Sequence, residues 1–206
     1  MPKSLLFEEL YRFDAEYRVT TPLVCGVDEA GRGPLCGPVA VGAVILDAQR
    51  PIEGLNDSKK LSEAKREALY DAITQTALAW HVALVPPEVI DEINILQATH
   101  LGMQQAVQGL ALAPDVILLD GNSAPAFLRP CVCVTKGDAQ SASIAAASIL
   151  AKVTRDRHMI ELDAQYPQYM LAQHKGYGTK LHYELLREHG IQSFYRKSFL
   201  KKSGLV

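Results

Sequence analysis

Residues 23–38 read Leu-Val-Cys-Gly-Val-Asp-Glu-Ala-Gly-Arg-Gly-Pro-Leu-Cys-Gly-Pro, and the chain is organised about them. The apolar run Leu23 to Val27 predicts a strand that delivers Asp28 and Glu29 into a turn made of Gly31, Arg32, Gly33 and Pro34. Successive strand side chains leave opposite faces, so the two carboxylates are expected to converge only where the strand ends and the backbone turns. Gly31 and Gly33 supply that turn, and without a Cβ they let a ligand approach the main-chain N–H and C=O groups between them. An Asp-Glu pair by itself is more often a solvated strand end than a site. The next run, Pro38 to Leu46, is again β-rich and lies too close for a crossover helix, so the two strands are expected to pair antiparallel.

Outward from this pair, strands and helices alternate. Leu6, Leu10, Phe13 and Tyr17 predict a helix over 4–17. Ser62 reads as an N-cap, followed by one helical face of Leu69, Ala72, Ile73, Thr76, Ala77 and Trp80. A third strand over Trp80 to Val85 is ended by Pro86-Pro87, and Asn94 to Leu112 then carries a core stripe of Leu96, Thr99, Met103, Ala106, Val107 and Leu110. Two further strands end in acids: Asp115 to Leu119 runs into Asp120, and Cys131 to Thr135 leads into Lys136-Gly137-Asp138. A long helix over 141–166 opens with the small-residue run SIAAAS, read as tight packing on the sheet. A last helix, Thr179 to His189, is stopped by Gly190. Strands interleaved with helices, the first two paired directly, indicate a mixed-sheet α/β domain.

At 206 residues, 48% hydrophobic and 21% charged, the chain is expected to be one soluble globular domain. No apolar stretch has membrane-span length and no signal-peptide apolar region follows Met1-Pro2-Lys3-Ser4, so a cytoplasmic protein without membrane contact is expected. Cys25, Cys36, Cys131 and Cys133 read as small buried hydrophobes, with no second pair at zinc spacing. The net charge of −2 argues against a generally basic nucleic-acid binder. From residue 171 onward, however, seven Lys/Arg stand against two Glu, a basic end suited to a phosphate backbone or simply solvated. GxGxxG, P-loop, GxSxG and HExxH patterns are absent, and the six histidines are scattered, His174 alone being of interest because it opens HKGYGT.

Asp28, Glu29, Asp120 and Asp138 remain as acids at strand ends in segments otherwise too apolar to explain them. Several carboxylates together repel unless a cation neutralises them, and oxygen-only donors suit Mg²⁺ or Mn²⁺. A pair of such ions is the usual carboxylate solution to phosphodiester hydrolysis. Asp156 reads either as a supporting acid or as a surface group salt-bridged beside Arg155 and Arg157.

DEAGRGP, followed by NDSKKL (56–61), LLDGN (118–122), KGD (136–138), AAASILAKVTRD (145–156) and HKGYGT (174–179), resembles the ribonuclease HII family, in order and over most of the chain. The resemblance implies a ribonuclease H-like mixed sheet flanked by helices, forming a single catalytic domain over 1–206 with a basic helical C-terminal segment from about 171. It implies an endonuclease that hydrolyses the RNA strand of RNA/DNA hybrids and cuts 5′ of single ribonucleotides in duplex DNA. Two divalent metal ions would be held by Asp28, Glu29, Asp120 and Asp138. Gly31, Arg32, Gly33, Lys59 and Tyr177 would bind substrate, and the protein would act as a monomer. Two other readings stand beside it: a catalytically silent nucleic-acid binder, which leaves the four acids repelling one another to no purpose, and a metal-dependent phosphatase of small molecules, which leaves the basic end unexplained.

Overall fold

A computed structural model describes residues 3–205, and within it the strand after Leu23 does not stop at its acids. After helix α1 (Lys3–Arg18), strand β1 runs Val24–Ala30 and pairs antiparallel with β2 (Val39–Ile45) up to Ala30 opposite Ala40. Its parallel pairing with β4 (Val116–Asp120) ends earlier, at Val27 opposite Leu119. Asp28 and Glu29 therefore lie inside a strand, beyond the reach of one neighbour, and not past the strand end as expected. Between these elements come helix α2 (Glu63–Thr76), strand β3 (Ala79–Val85) and helix α3 (Pro87–Gln108). Strand β5 (Cys131–Val134) and helix α4 (Ala142–Gln165) follow, then the short helices α5 (Leu171–His174), α6 (Lys180–His189) and α7 (Lys197–Leu200). The sheet order is β3-β2-β1-β4-β5, antiparallel on the β3 side and parallel on the β5 side.

Strand alternation assigns the faces. Val24, Gly26 and Asp28 face α4, whose backbone lies so close that a Cβ on Gly26 would meet the Ser143 carbonyl carbon at 2.0 Å, and one on Gly42 the Ala147 oxygen at 2.5 Å. The alanines of α4 are thus the packing surface the small-residue run suggested, with α1 and α2 completing the layer around Leu10, Leu69 and Ile73. Cys25, Val27 and Val41 face α3 through Met103 and Ala106. A third cluster joins the turn after β1 to the C-terminal helices: Leu35 and Cys36 pack with Met159, Tyr169, Phe194 and Tyr195.

Several local expectations shift. Trp80 lies on β3 rather than on the α2 face, 38% exposed, because α2 is capped at Ala77. Helix α3 begins seven residues before Asn94, which breaks it with φ 68° and recaps it: Oδ1 accepts from the amides of Leu96 and Gln97. Leu96, expected in the core, is 39% exposed, while Thr99, Met103 and Ala106 are buried. Cys25 and Cys36 are buried as expected, but Cys131 is half-buried and Cys133 exposed, since β5 is an edge strand. The side chain of Leu6 lies outside the described residues. Among the described residues no helix is long and apolar enough to cross a membrane.

Candidate active site

The carboxyl ends of β1 and β4 lie side by side, and the acids gather there. Asp28 is buried on the α4 side and its carboxyl is held well above the usual range by burial, then by the charges of Glu29 and Asp120. The Glu29 amide, donating to Asp28 Oδ1 at 2.7 Å, and the Ser148 hydroxyl of α4 pull the other way. Glu29, on the opposite face, is raised by burial and by Asp120, and lowered by Arg32, whose Nη1 lies 3.4 Å from Oε1, and by Lys59. Asp120, the last residue of β4, accepts from the Gly137 amide at 2.6 Å. Asp138, in the 3-10 turn Gly137–Ala139, is raised by burial and by Asp57 and Asp120, and lowered by Lys59. The Asp120 charge thus bears on each of the other three expected carboxylates.

This donor set suits a hard divalent cation, because it is all oxygen and short of positive charge: Arg32 and Lys59 offset only part of the repulsion. As the side chains stand, no group of three or more His, Cys, Asp or Glu among the described residues is set to hold a metal ion. Strand alternation sends Asp28 and Glu29 to opposite faces, and the carboxylates of Asp28, Glu29 and Asp120 are turned onto protein donors.

Lys59 reaches the site on the 3-10 turn Ser58–Lys60, which Asp57 caps by accepting from the Lys59 amide at 2.9 Å. Sequence reading missed Asp57, Ser58 and Ser148. Ser58 Oγ and Ser148 Oγ are 2.7 Å apart, a buried link from this turn to the residue that steadies Asp28. Only the NDSKKL and AAASILAK blocks signalled these positions, and nothing in either said they would meet. Asp156 is salt-bridged, but buried and to other partners: Lys152 at 2.7 Å and Arg66 at 4.0 Å. Arg66 also donates to the Ser58 and Leu61 carbonyls, so Asp156 supports the turn that carries Lys59.

Gly31, Arg32 and Gly33 border the acids, and Tyr177 lies across from them, 46% exposed, with ring carbon Cε1 4.0 Å from where a Gly33 Cβ would stand. Gly31 is required for a reason other than ligand access. Its φ is +93°, and a Cβ there would meet Arg155 Nε at 2.0 Å, inside the protein. His174 shapes the tyrosine's loop. Its ring stacks on His182 at 4.0 Å between centroids, Nδ1 accepts from the Gly176 amide, and Nε2 lies 2.9 Å from the Tyr169 carbonyl.

The basic end is not one thing. Arg196 is wholly buried against the 31–37 turn, Lys180 pairs with Glu184, and Lys197 and Lys201 are exposed.

A five-stranded mixed sheet in this order, helices on both faces and a carboxylate cluster where its central strands end, defines the ribonuclease H class of endonuclease. The model of the family described as Ribonuclease HII matches residues 25–202, and the chain belongs to that family. It is 59% identical over 192 residues to the ribonuclease HII of Shewanella sp. strain ANA-3, covering 91% of this chain and 92% of that one. The Shewanella baltica ribonuclease HII is 55% identical over 99% of this chain and 97% of its own. Among solved structures, ribonuclease H2 from Pyrococcus horikoshii superposes with a TM-score of 0.73 at 30% identity, covering 85% of this chain and 92% of that one.

Proposed function

We propose that this ribonuclease H hydrolyses the RNA strand of RNA/DNA hybrids and cuts 5′ of single ribonucleotides embedded in duplex DNA, leaving 3′-hydroxyl and 5′-phosphate ends. On this reading the chain works in the cytoplasm as one monomeric catalytic domain. Asp28, Glu29, Asp120 and Asp138 would hold two divalent cations, Mg²⁺ or Mn²⁺, with Asp138 positioning one of them. Such cations, when bound, activate the attacking water and steady the leaving oxygen.

The carrying observation is that the acid cluster adjoins the space between Gly33 and the Tyr177 ring, bridged by the Arg32–Glu29 pair. A protein that tells RNA from DNA has one local handle, the 2′-hydroxyl. The turn can meet that hydroxyl with main-chain groups, and the Tyr177 ring can lie on the deoxyribose that follows, where a second 2′-hydroxyl would obstruct it. Arg32 and Lys59, both exposed beside the acids, suit the phosphates on either side of the cut.

The test is a labelled duplex containing one ribonucleotide, with and without Mg²⁺. Asp28→Asn and Asp120→Asn are expected to lose cleavage and keep most duplex binding, since affinity rests on phosphate contacts. Near-normal cleavage by either variant defeats the assignment of the acids. Tyr177→Ala is expected to lose most activity on the single ribonucleotide, and an unchanged kcat/KM ratio between that duplex and a continuous hybrid defeats the junction reading.

A further inference from the structure

The turn between β1 and β2 has little regular structure of its own, and two buried arginines hold it from behind. Arg196 directs Nη2 to the Gly31 carbonyl at 2.7 Å, Nη1 to those of Arg32 at 3.0 Å and Pro34 at 2.9 Å, and Nε to that of Gly37 at 2.9 Å. Its own amide donates to the Leu35 carbonyl at 2.9 Å. Arg155, on α4, sends Nε to the Pro38 carbonyl, Nη2 to that of Cys36 and Nη1 to that of Lys175. Every hydrogen-bond acceptor these two guanidinium groups find among the described residues is a main-chain carbonyl. Two like charges buried on carbonyl dipoles are a costly way to fill a core, and an apolar pair of similar volume would be cheaper. What they secure is the direction in which those carbonyls point.

In a trans peptide the C=O of one residue and the N–H of the next point opposite ways, and the described residues contain no cis bond. Drawing the Gly31 and Arg32 carbonyls inward therefore turns the Arg32 and Gly33 amides outward. Neither amide donates a hydrogen bond among the described residues, and both residues are exposed beside Tyr177 and Glu29. We propose that Arg196 is a positioning residue which, by pinning the Gly31 and Arg32 carbonyls, aims the Arg32 and Gly33 amides as a donor pair at an oxygen of the substrate's ribose. The proposal rests on the reading of this turn as the ribose-contacting element. It gives the C-terminal segment a part in selecting substrate that involves no contact with nucleic acid.

The experiment compares binding of two duplexes, one with a single ribonucleotide and one all deoxyribose, in an Asp120→Asn background so that no cleavage intervenes. The ratio of the two Kd values is the readout. Arg196→Lys is expected to fold, to bind the all-deoxyribose duplex as before, and to lose roughly tenfold in the ratio, the worth of about one hydrogen bond. Arg196→Ala is expected to lose at least as much and to recover part of it when guanidinium ion is added at millimolar level. Gly33→Pro removes one of the two donors directly and serves as the control. If Gly33→Pro lowers the ratio and folded Arg196→Lys does not, the role of Arg196 is wrong while the turn reading stands. If Gly33→Pro leaves the ratio alone, the turn does not read ribose through that amide and the proposal falls with it. An Arg196→Ala chain that stays unfolded with guanidinium ion present also overturns it, because the side chain then serves the fold as a whole.

Discussion

Ser148 shows how a single hydroxyl inside an alanine-rich helix can matter to a carboxylate on the neighbouring strand. Burial and two like charges raise Asp28, and the Ser148 hydroxyl is one of the groups that lower it. Ser148→Ala is expected to raise Asp28 further, so that the acid limb of the kcat/KM profile moves to higher pH. A profile that keeps its midpoint removes Ser148 from the site. His182 offers a second titration. It is buried, with Nδ1 2.9 Å from the Tyr177 carbonyl and Nε2 3.0 Å from the Tyr195 hydroxyl, and burial lowers its pKa to about 4. A base depressed on folding takes up its proton more readily when unfolded. Its contribution is therefore whole above the ordinary value of 6.5 and is lost as the pH falls towards 4. The carboxylates raised on folding act in the opposite sense, so the His182 share must be read as a difference. Unfolding free energies from urea titrations of the parent and His182→Gln, followed from pH 7.5 to 4.5, are expected to converge by roughly 2 kcal/mol. Parallel curves refute this.

At the scale of elements, α4 decides the geometry of the site. Its first turn is held by Asp14 of α1, which accepts from the Ser141 hydroxyl at 2.5 Å and from the amide and hydroxyl of Ser143 at 2.9 and 2.7 Å. A buried carboxylate at a helix N-terminus meets both the free amides and the positive end of the dipole. Beyond that turn, Gly26 and Gly42 let the helix backbone rest on β1 and β2, which brings Ser148 within reach of Asp28. Gly26→Ala must push α4 off the strand that carries Asp28 and Glu29. Overpacking of this kind costs about 1–3 kcal/mol or more, and a melting curve lowered by several degrees, with cleavage reduced alongside, is the expected result. Gly33→Ala, with its nearest obstacle at 4.0 Å, is expected to leave the melting temperature where it is.

Over the whole molecule, charge and core are divided between two ends. The sheet and its helices carry the acids, and the C-terminal helices form a separate cluster around Tyr169, Phe194 and Tyr195 that grips the turn bordering them. Cys36 bridges to Tyr195, the Gly37 amide donates to the Phe194 carbonyl, and Asp91 of α3 accepts from the amides of Lys197 and Ser198. Removing residues 196–206 is consequently expected to loosen the turn as well as to remove charge, so truncation confounds the two. A phosphate contact by this segment would fall to its exposed lysines. Lys197→Gln with Lys201→Gln is expected to flatten the dependence of log K on log salt by about one unit per lysine that neutralises a phosphate. A slope that stays the same means those lysines are only solvated.

Read from residues alone, the alternation of strands and helices, the antiparallel opening pair and the Ser62 cap were legible, because they rest on local periodicity and capping chemistry, and the four acids stood out as charges that apolar segments do not otherwise tolerate. The ordered motif blocks carried the family. Tertiary structure alone decided that Asp28 and Glu29 sit within a paired strand, since the point where β4 stops alongside β1 is a property of two segments about ninety residues apart. It alone decided that Ser58 meets Ser148. It also turned Arg155 and Arg196 inward: in sequence a buried arginine cannot be told from a solvated one, because the carbonyls that receive it are supplied by a distant turn, and carbonyls leave no mark on residue type.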